Sequence, residues 1–126
     1  MPNPSIHTTS FIAPQSYSMF ATSATDNIIA FYDVRDPQFC IGRYGAHVNR
    51  REVVGCSFSP CLRYLATGSE DKSVRIVDIR GGFRELCRIG NVHKDVTSNV
   101  AYSPLFPQLA SCSYDGTVKF FTENHV

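Results

Sequence analysis

Apolar and polar residues alternate along this 126-residue chain in short runs, and clusters of Gly, Pro, Asn, Asp or Ser break each run. That period-2 pattern with regular turn signals predicts strands rather than helices. The middle of the chain shows it best. Residues 53–58 (VVGCSF), 63–69, 73–79 and 84–89 read as four strands, separated by Ser59-Pro60-Cys61, Glu70-Asp71-Lys72 and Gly81-Gly82. Towards the C-terminus, 97–102, 108–113 and 117–121 repeat the first three, with Ser103-Pro104 and Asp115-Gly116 between them. Asp115-Gly116 is a strong hairpin signal, because both residues tolerate positive φ. Towards the N-terminus, 6–12, 18–24, 28–33 and 38–44 form a further set around Asp26-Asn27. The reading is all-β with eleven strands, and no segment carries a 3.6-residue apolar period of useful length.

These sets are copies of one another. Residues 65–80 (LATGSEDKSVRIVDIR) have near-copies about 45 residues upstream, at 20–35 (FATSATDNIIAFYDVR), and about 44 downstream, from Leu109 (LASCSYDGTVKFFTEN). Asp26, Asp71 and Asp115 keep register, as do Pro14, Pro60 and Pro104. A period of that length, with strands around an acidic turn, is the signature of a propeller blade.

Composition adds exclusions. Twelve basic and eleven acidic side chains are interspersed and net charge is +1, which gives no electrostatic case for nucleic acid or an anionic membrane. MPNPSIHTTS has neither the basic nor the apolar region of a signal peptide, and no apolar run is long enough to span a membrane. Five cysteines, an odd count with no CxxC pair, argue against a disulfide framework and for an intracellular setting, cytoplasmic or nuclear. Cys56, Cys61 and the histidines are weighed as a metal site, but Cys56 and Cys112 fall at small apolar strand positions and read as buried thiols. No phosphate-cradling loop, zincin helix or nucleophile elbow is present, so neither cofactor nor catalysis is expected.

The pattern resembles the WD-repeat (WD40) family over nearly the whole chain. Gly45-Ala46-His47 and Gly90-Asn91-Val92-His93 stand for that family's Gly-His pair, each with an insertion. Ser59-Pro60 and Ser103-Pro104 match its Ser-Pro, while Ser69-Glu70-Asp71 and Ser113-Tyr114-Asp115 match its Ser-x-Asp turn. Tyr32-Asp33, Val77-Asp78 and Phe121-Thr122 take the Trp-Asp position in a chain with no tryptophan. The resemblance implies four-stranded blades over about 5–44, 45–90 and 91–126, the last lacking its outer strand. It implies a non-enzymatic scaffold for other proteins. It also implies that His47, Ser69 and Asp71, and likewise His93, Ser113 and Asp115, form an internal network in each blade. His–Asp general-base catalysis is the alternative for these residues, but the spacing recurs in two units and an active site rarely repeats. The first unit is degenerate, with Ala24 in the serine position.

Two groups of residues are candidates for contact with partners. Arg50, Arg51, Glu70, Lys94 and Tyr114 fall where this family usually meets other proteins, or else form a solvated rim. Asp33-Val34-Arg35 and Asp78-Ile79-Arg80 resemble the Asp-x-Arg endings of WD-repeat substrate receptors that dock to cullin–RING ubiquitin-ligase adaptors, or else are local turn features. Propellers close with four to eight blades, so three leave two sheet faces bare. About four large apolar side chains per face, at roughly 1.5–3 kcal/mol each, put the loss on the order of 10 kcal/mol. The chain is therefore expected to be a C-terminal piece of a longer protein, a partial gene product, or a protomer that self-associates.

Overall fold

The computed structural model describes residues 6–11, 19–52, 54–60, 63–105 and 108–122. Among these all regular structure is β, in eleven strands and three antiparallel sheets. The first sheet joins β1 (Ile6–Phe11), β2 (Met19–Ala24), β3 (Ile29–Asp33) and β4 (Asp36–Tyr44) in chain order. The second joins β5 (Cys56–Phe58), β6 (Tyr64–Thr67), β7 (Val74–Asp78) and β8 (Arg84–Ile89). The third holds β9 (Thr97–Tyr102), β10 (Gln108–Ser113) and β11 (Val118–Thr122), with β11 at its edge. The sheets form an arc that does not close, an incomplete propeller. Cys61 and Pro14, singled out from the sequence, lie outside the described residues.

Two departures from the expected strands have local causes. β5 begins at Cys56 because the Gly55 N–H donates to Ser98 O in the third sheet (2.8 Å) and the Gly55 carbonyl accepts from Gly68 N–H (3.1 Å). β4 begins at Asp36, because Asp33 pairs directly with Asp36 across a two-residue turn at Val34 and Arg35.

Side chains alternate across each pleat, so every sheet offers two faces. Cross-strand register makes those faces repeat. Ala21 opposes Phe31, Ala66 opposes Ile76, and Ala110 opposes Phe120. On the opposite faces Phe20 opposes Tyr32, Leu65 opposes Val77, and Leu109 opposes Phe121. The first core packs Ala21, Ile29, Phe31 and Tyr44 of the first sheet against Phe58, Leu65, Val77 and Ile79 around the second. The second packs Ala66, Val74 and Ile76 against Val100 and Leu109, with Phe121 beside them. The middle sheet is thus covered on both faces, and β7 reads buried at four of its five residues.

The three sheets also share one turn. Asn27 (φ 65°), Lys72 (φ 71°) and Gly116 (φ 83°) are the left-handed residues that follow Asp26, Asp71 and Asp115. Between β6 and the turn, Gly68 has no room for a side chain: a Cβ there would lie 2.2 Å from Thr97 O.

Truncating Phe31, which is fully buried and packs edge-on to Phe58 and against Phe83, should cost about 3–5 kcal/mol. Gly68→Ala should cost about 1–3 kcal/mol by forcing the second and third sheets apart. Urea unfolding followed by circular dichroism checks both, and a midpoint unchanged in Phe31→Ala would contradict the assignment of the first core.

Candidate interaction surface and the network beneath it

Antiparallel order places the turns 25–28, 68–73 and 113–117 at the same end of the arc as the inter-sheet loops 45–55 and 90–96. Backbone bonds lock these segments side by side. Asn27 N–H donates to Asn49 O (3.1 Å), Glu70 N–H to Val48 O (2.8 Å), Thr97 N–H to Ser69 O (3.1 Å) and Tyr114 N–H to Val96 O (3.4 Å). Each loop is wedged between the turn of one sheet and the turn of the next.

The repeated aspartates build these turns. Asp26 Oδ1 accepts from Ile28 N–H (3.0 Å), Asp71 Oδ1 from Ser73 N–H (3.2 Å) and Asp115 Oδ1 from Thr117 N–H (2.8 Å). This side-chain mimic of a turn explains why Asp recurs in all three units. Ser69 and Ser113 add a weaker version, their hydroxyls accepting the N–H of Asp71 (3.5 Å) and Asp115 (3.2 Å).

In the third sheet a hydrogen-bonded chain runs from Ser111 to His93, Thr117 and Asp115. His93 Nε2 lies 2.8 Å from Ser111 Oγ and its Nδ1 2.9 Å from Thr117 Oγ1, whose hydroxyl donates to Asp115 Oδ1 (2.5 Å). With that proton committed to the carboxylate, Thr117 accepts from Nδ1–H. Burial lowers the His93 pKa against the opposing pull of Asp115, which favours the neutral imidazole whose Nε2 accepts from Ser111. Asp115 also accepts from Lys94 N–H (2.7 Å), and bonds from Thr117 and Lys94 hold it at about 2. Ser113, the serine expected in this network, takes no bond from His93. Ser111, two residues earlier on β10, fills that place.

The second sheet has a different centre. Arg75 donates to Ser73 Oγ (2.9 Å), pairs with Asp71 Oδ2 (2.5 Å) and with Glu85 Oε1 (2.7 Å), and is buried. Glu85 also accepts from Tyr44 OH (2.6 Å), which ties β4 of the first sheet to β8 of the second. Tyr44 stacks on buried His47 with ring centroids 5.4 Å apart. Partial burial would raise the Asp71 carboxyl, but bonds from Ser73, Ser69 and Arg75 outweigh it and hold its pKa at about 2. Burial likewise works on Glu85, yet Tyr44 and Arg75 leave its pKa lowered. Arg75, Glu85, Tyr44, Ser111 and Thr117 escaped the reading of motifs. One signal was available: Arg75 and Lys119 both stand four residues after a turn aspartate, where the first unit has Ala30.

Around this frame the residues singled out for partners separate. Glu70 is not directed outwards: its Oε2 accepts from the N–H groups of Arg50, Arg51 (2.9 Å) and Glu52 (3.5 Å) in the neighbouring inter-sheet loop. Arg50, Arg51 and Lys94 are exposed, and among the described residues no ion pair engages their side chains. Tyr114 is 55% exposed beside them. Arg35 and Arg80 sit at the opposite end. Arg35 is 82% exposed on its side chain, yet both guanidinium contacts (2.9 and 3.2 Å) go to Asp33, whose pKa they lower. Asp78 accepts from Gly81 N–H (3.0 Å), and Arg80 is exposed. Cys56 is buried and its thiol pushed up to about 12, whereas Cys112, expected to be buried, is half-exposed on the outer face of the third sheet. Among the described residues no group of three His, Cys, Asp or Glu side chains is placed to hold a metal. Among the described residues no helix is long and apolar enough to cross a membrane.

Ser111→Ala should cost about 1–3 kcal/mol by stranding buried His93 Nε2, and Ser113→Ala only about 0.5 kcal/mol. Because folding lowers the His93 pKa, its contribution is complete above about pH 6.5 and falls as pH drops below that value. His93→Gln should therefore flatten urea midpoints between about pH 7 and 5, and an unchanged slope would contradict the assignment. The lowered Asp71 pKa acts in a more acid window. Its contribution is present above about pH 3.8 and is lost towards about pH 2, and Arg75→Met should shrink that loss in acid titrations.

Comparison with known proteins places this geometry. The family model described as WD domain, G-beta repeat matches residues 38–78 and 85–122, together more than half of the chain. Each match starts in an outer strand, β4 or β8, and ends on the third strand of the next sheet, so the sequence repeat straddles two sheets. WD repeat-containing protein 25 of Mus musculus is 34% identical over 80 residues, which is 63% of this chain and 15% of that protein. The probable cytosolic iron-sulfur protein assembly protein 1 of Candida glabrata is 31% identical over 75 residues, 58% of this chain and 22% of its own. The Denticleless protein homolog of Danio rerio is 31% identical over 107 residues, 84% of this chain and 16% of its own. The chain spans less than a quarter of the length of these relatives. With the family's repeat model matched across its sheets and its turn chemistry repeated in each, the chain belongs to the WD40 family.

Proposed function

We propose that this chain is a non-enzymatic WD-repeat scaffold that binds other proteins, and that it is one arc of a larger propeller. The observation that carries the reading is the wedged end of the arc. Its turn carboxylates are satisfied from within, and Arg50, Arg51, Lys94 and Tyr114 remain exposed on a braced backbone. Arginine and tyrosine held on rigid backbone are side chains that interfaces favour, since little order is lost when they bind. Glu70 serves such a surface by holding the loop of Arg50 and Arg51 in place. The chain from Ser111 through His93 and Thr117 to Asp115, the turn of Ser69 and Asp71, and the stacking of His47 on Tyr44 are assigned to holding the blades. No nucleic acid, membrane or cofactor is assigned to the chain, and the setting is cytoplasmic or nuclear, which suits the free thiols of Cys40, Cys56, Cys87 and Cys112.

Within the family, residues 47–72 and 103–121 resemble the C-terminal repeats of WD repeat-containing protein 27. The second reading is docking to a cullin–RING adaptor through Asp33, Arg35, Asp78 and Arg80. Exposure of both arginines favours it, and the hold of Asp33 on Arg35 opposes it, because a bidentate partner would have to displace that carboxylate.

Cross-linked capture of binding proteins by the full chain tests both readings. Arg51→Ala with Tyr114→Ala should weaken the principal partner by about 1–2 kcal/mol per residue, roughly tenfold each, with the circular dichroism spectrum unchanged. Loss of a cullin adaptor in Arg35→Ala and Arg80→Ala, with no effect from the first pair, would replace the scaffold reading with the second.

A further inference from the structure

The arc ends in two sheet faces that match each other. On the third sheet, Ala110, Val118 and Phe120 stand in register with Ala21, Ile29 and Phe31 of the first sheet and with Ala66, Val74 and Ile76 of the second. The six earlier residues are all 0% exposed, whereas Val118 is 57% and Phe120 74% exposed. One and the same face is buried twice and left open the third time. On the first sheet, the open face carries Phe20 and Tyr32, in register with Leu65 and Val77 and with Leu109 and Phe121. Those are the pairs that receive the Ala–Ile–Phe type of face in both cores. The phenyl and phenol rings of Phe20 and Tyr32 stack with centroids 5.2 Å apart. Beside them Thr22, Ala24, Asp26, Ile28, Ala30 and Arg43 line a hollow of about 270 Å³.

We propose that a second copy of this chain covers each open face head to tail, the Ala110–Val118–Phe120 face of one copy packing on the Phe20–Tyr32 face of the other. The contact continues the interface already built twice within the chain, with the same cross-strand pairs on each side. It is heterologous, so two copies form a closed ring only by making it twice, and six sheets fall within the four to eight that propellers use. The inference rests on reading the chain as a propeller arc, but it assigns the occupant of the open faces to the chain itself.

Size-exclusion chromatography with light scattering on the full chain tests it at micromolar concentration. The expected species is twice 14.0 kDa. Phe120→Asp and Tyr32→Asp, both at positions outside the two cores, should each give a 14.0 kDa monomer with an unchanged circular dichroism spectrum. Mixing the two variants should restore a dimer, because one copy keeps an intact first-sheet face and the other an intact third-sheet face. A face-to-itself contact predicts no such rescue and would overturn the proposal. A folded wild-type monomer would overturn both the proposal and the arc reading beneath it. A wild-type chain that becomes monodisperse only when the rest of a longer parent polypeptide is supplied would overturn self-association and leave the arc intact.

Discussion

Face-to-face burial of the middle sheet is the constraint on which the other features depend. A four-stranded antiparallel sheet cannot hold itself together with two wet apolar faces, and here β6 and β7 are covered from both sides by residues that repeat in register. Because Leu65 and Val77 point one way and Ala66 and Ile76 the other, β6 and β7 have no solvent face. That explains why its strands read as nearly continuous apolar runs rather than as strict alternation.

Packing sheets face to face crowds their ends, and the polar chemistry answers that crowding. Loops pass within hydrogen-bond distance of the turns on either side, so carboxylates at the turns meet backbone N–H groups, hydroxyls and one buried guanidinium. The second and third sheets solve the same problem differently. Asp71 is held by Arg75, which draws in Glu85 and Tyr44, while Asp115 is held by Thr117 and the relay through His93. Neither uses a tryptophan, and in each the buried centre, Arg75 or His93, is hydrogen-bonded, as a low-dielectric interior requires.

Much of the fold was legible in the sequence. Alternation with turn punctuation found eleven strands, and the repeat found the sheets, because side-chain period and turn chemistry are local properties. The site was legible only in part. The family resemblance points to Ser113, in its Ser-x-Asp turn, as the serine of the His93 network. The bond goes to Ser111, 2.8 Å from His93 Nε2, while the Ser113 hydroxyl accepts from Asp115 N–H within its own turn. Glu70 looked like a charged surface residue, and its carboxylate is bound by three N–H groups of a loop about twenty positions earlier. Cys112 looked like a core thiol, and its face of the sheet is the open one.

The strand count, the acidic turns and the repeat follow from the sequence alone, because each depends on residues close together in the chain. Packing in three dimensions settles which carboxylates are consumed within the fold, which serine meets His93, and that Tyr44 and Glu85 tie two sheets together. Those contacts join residues whose separation along the chain does not set their distance in space. The packing of one sheet on the next sets it.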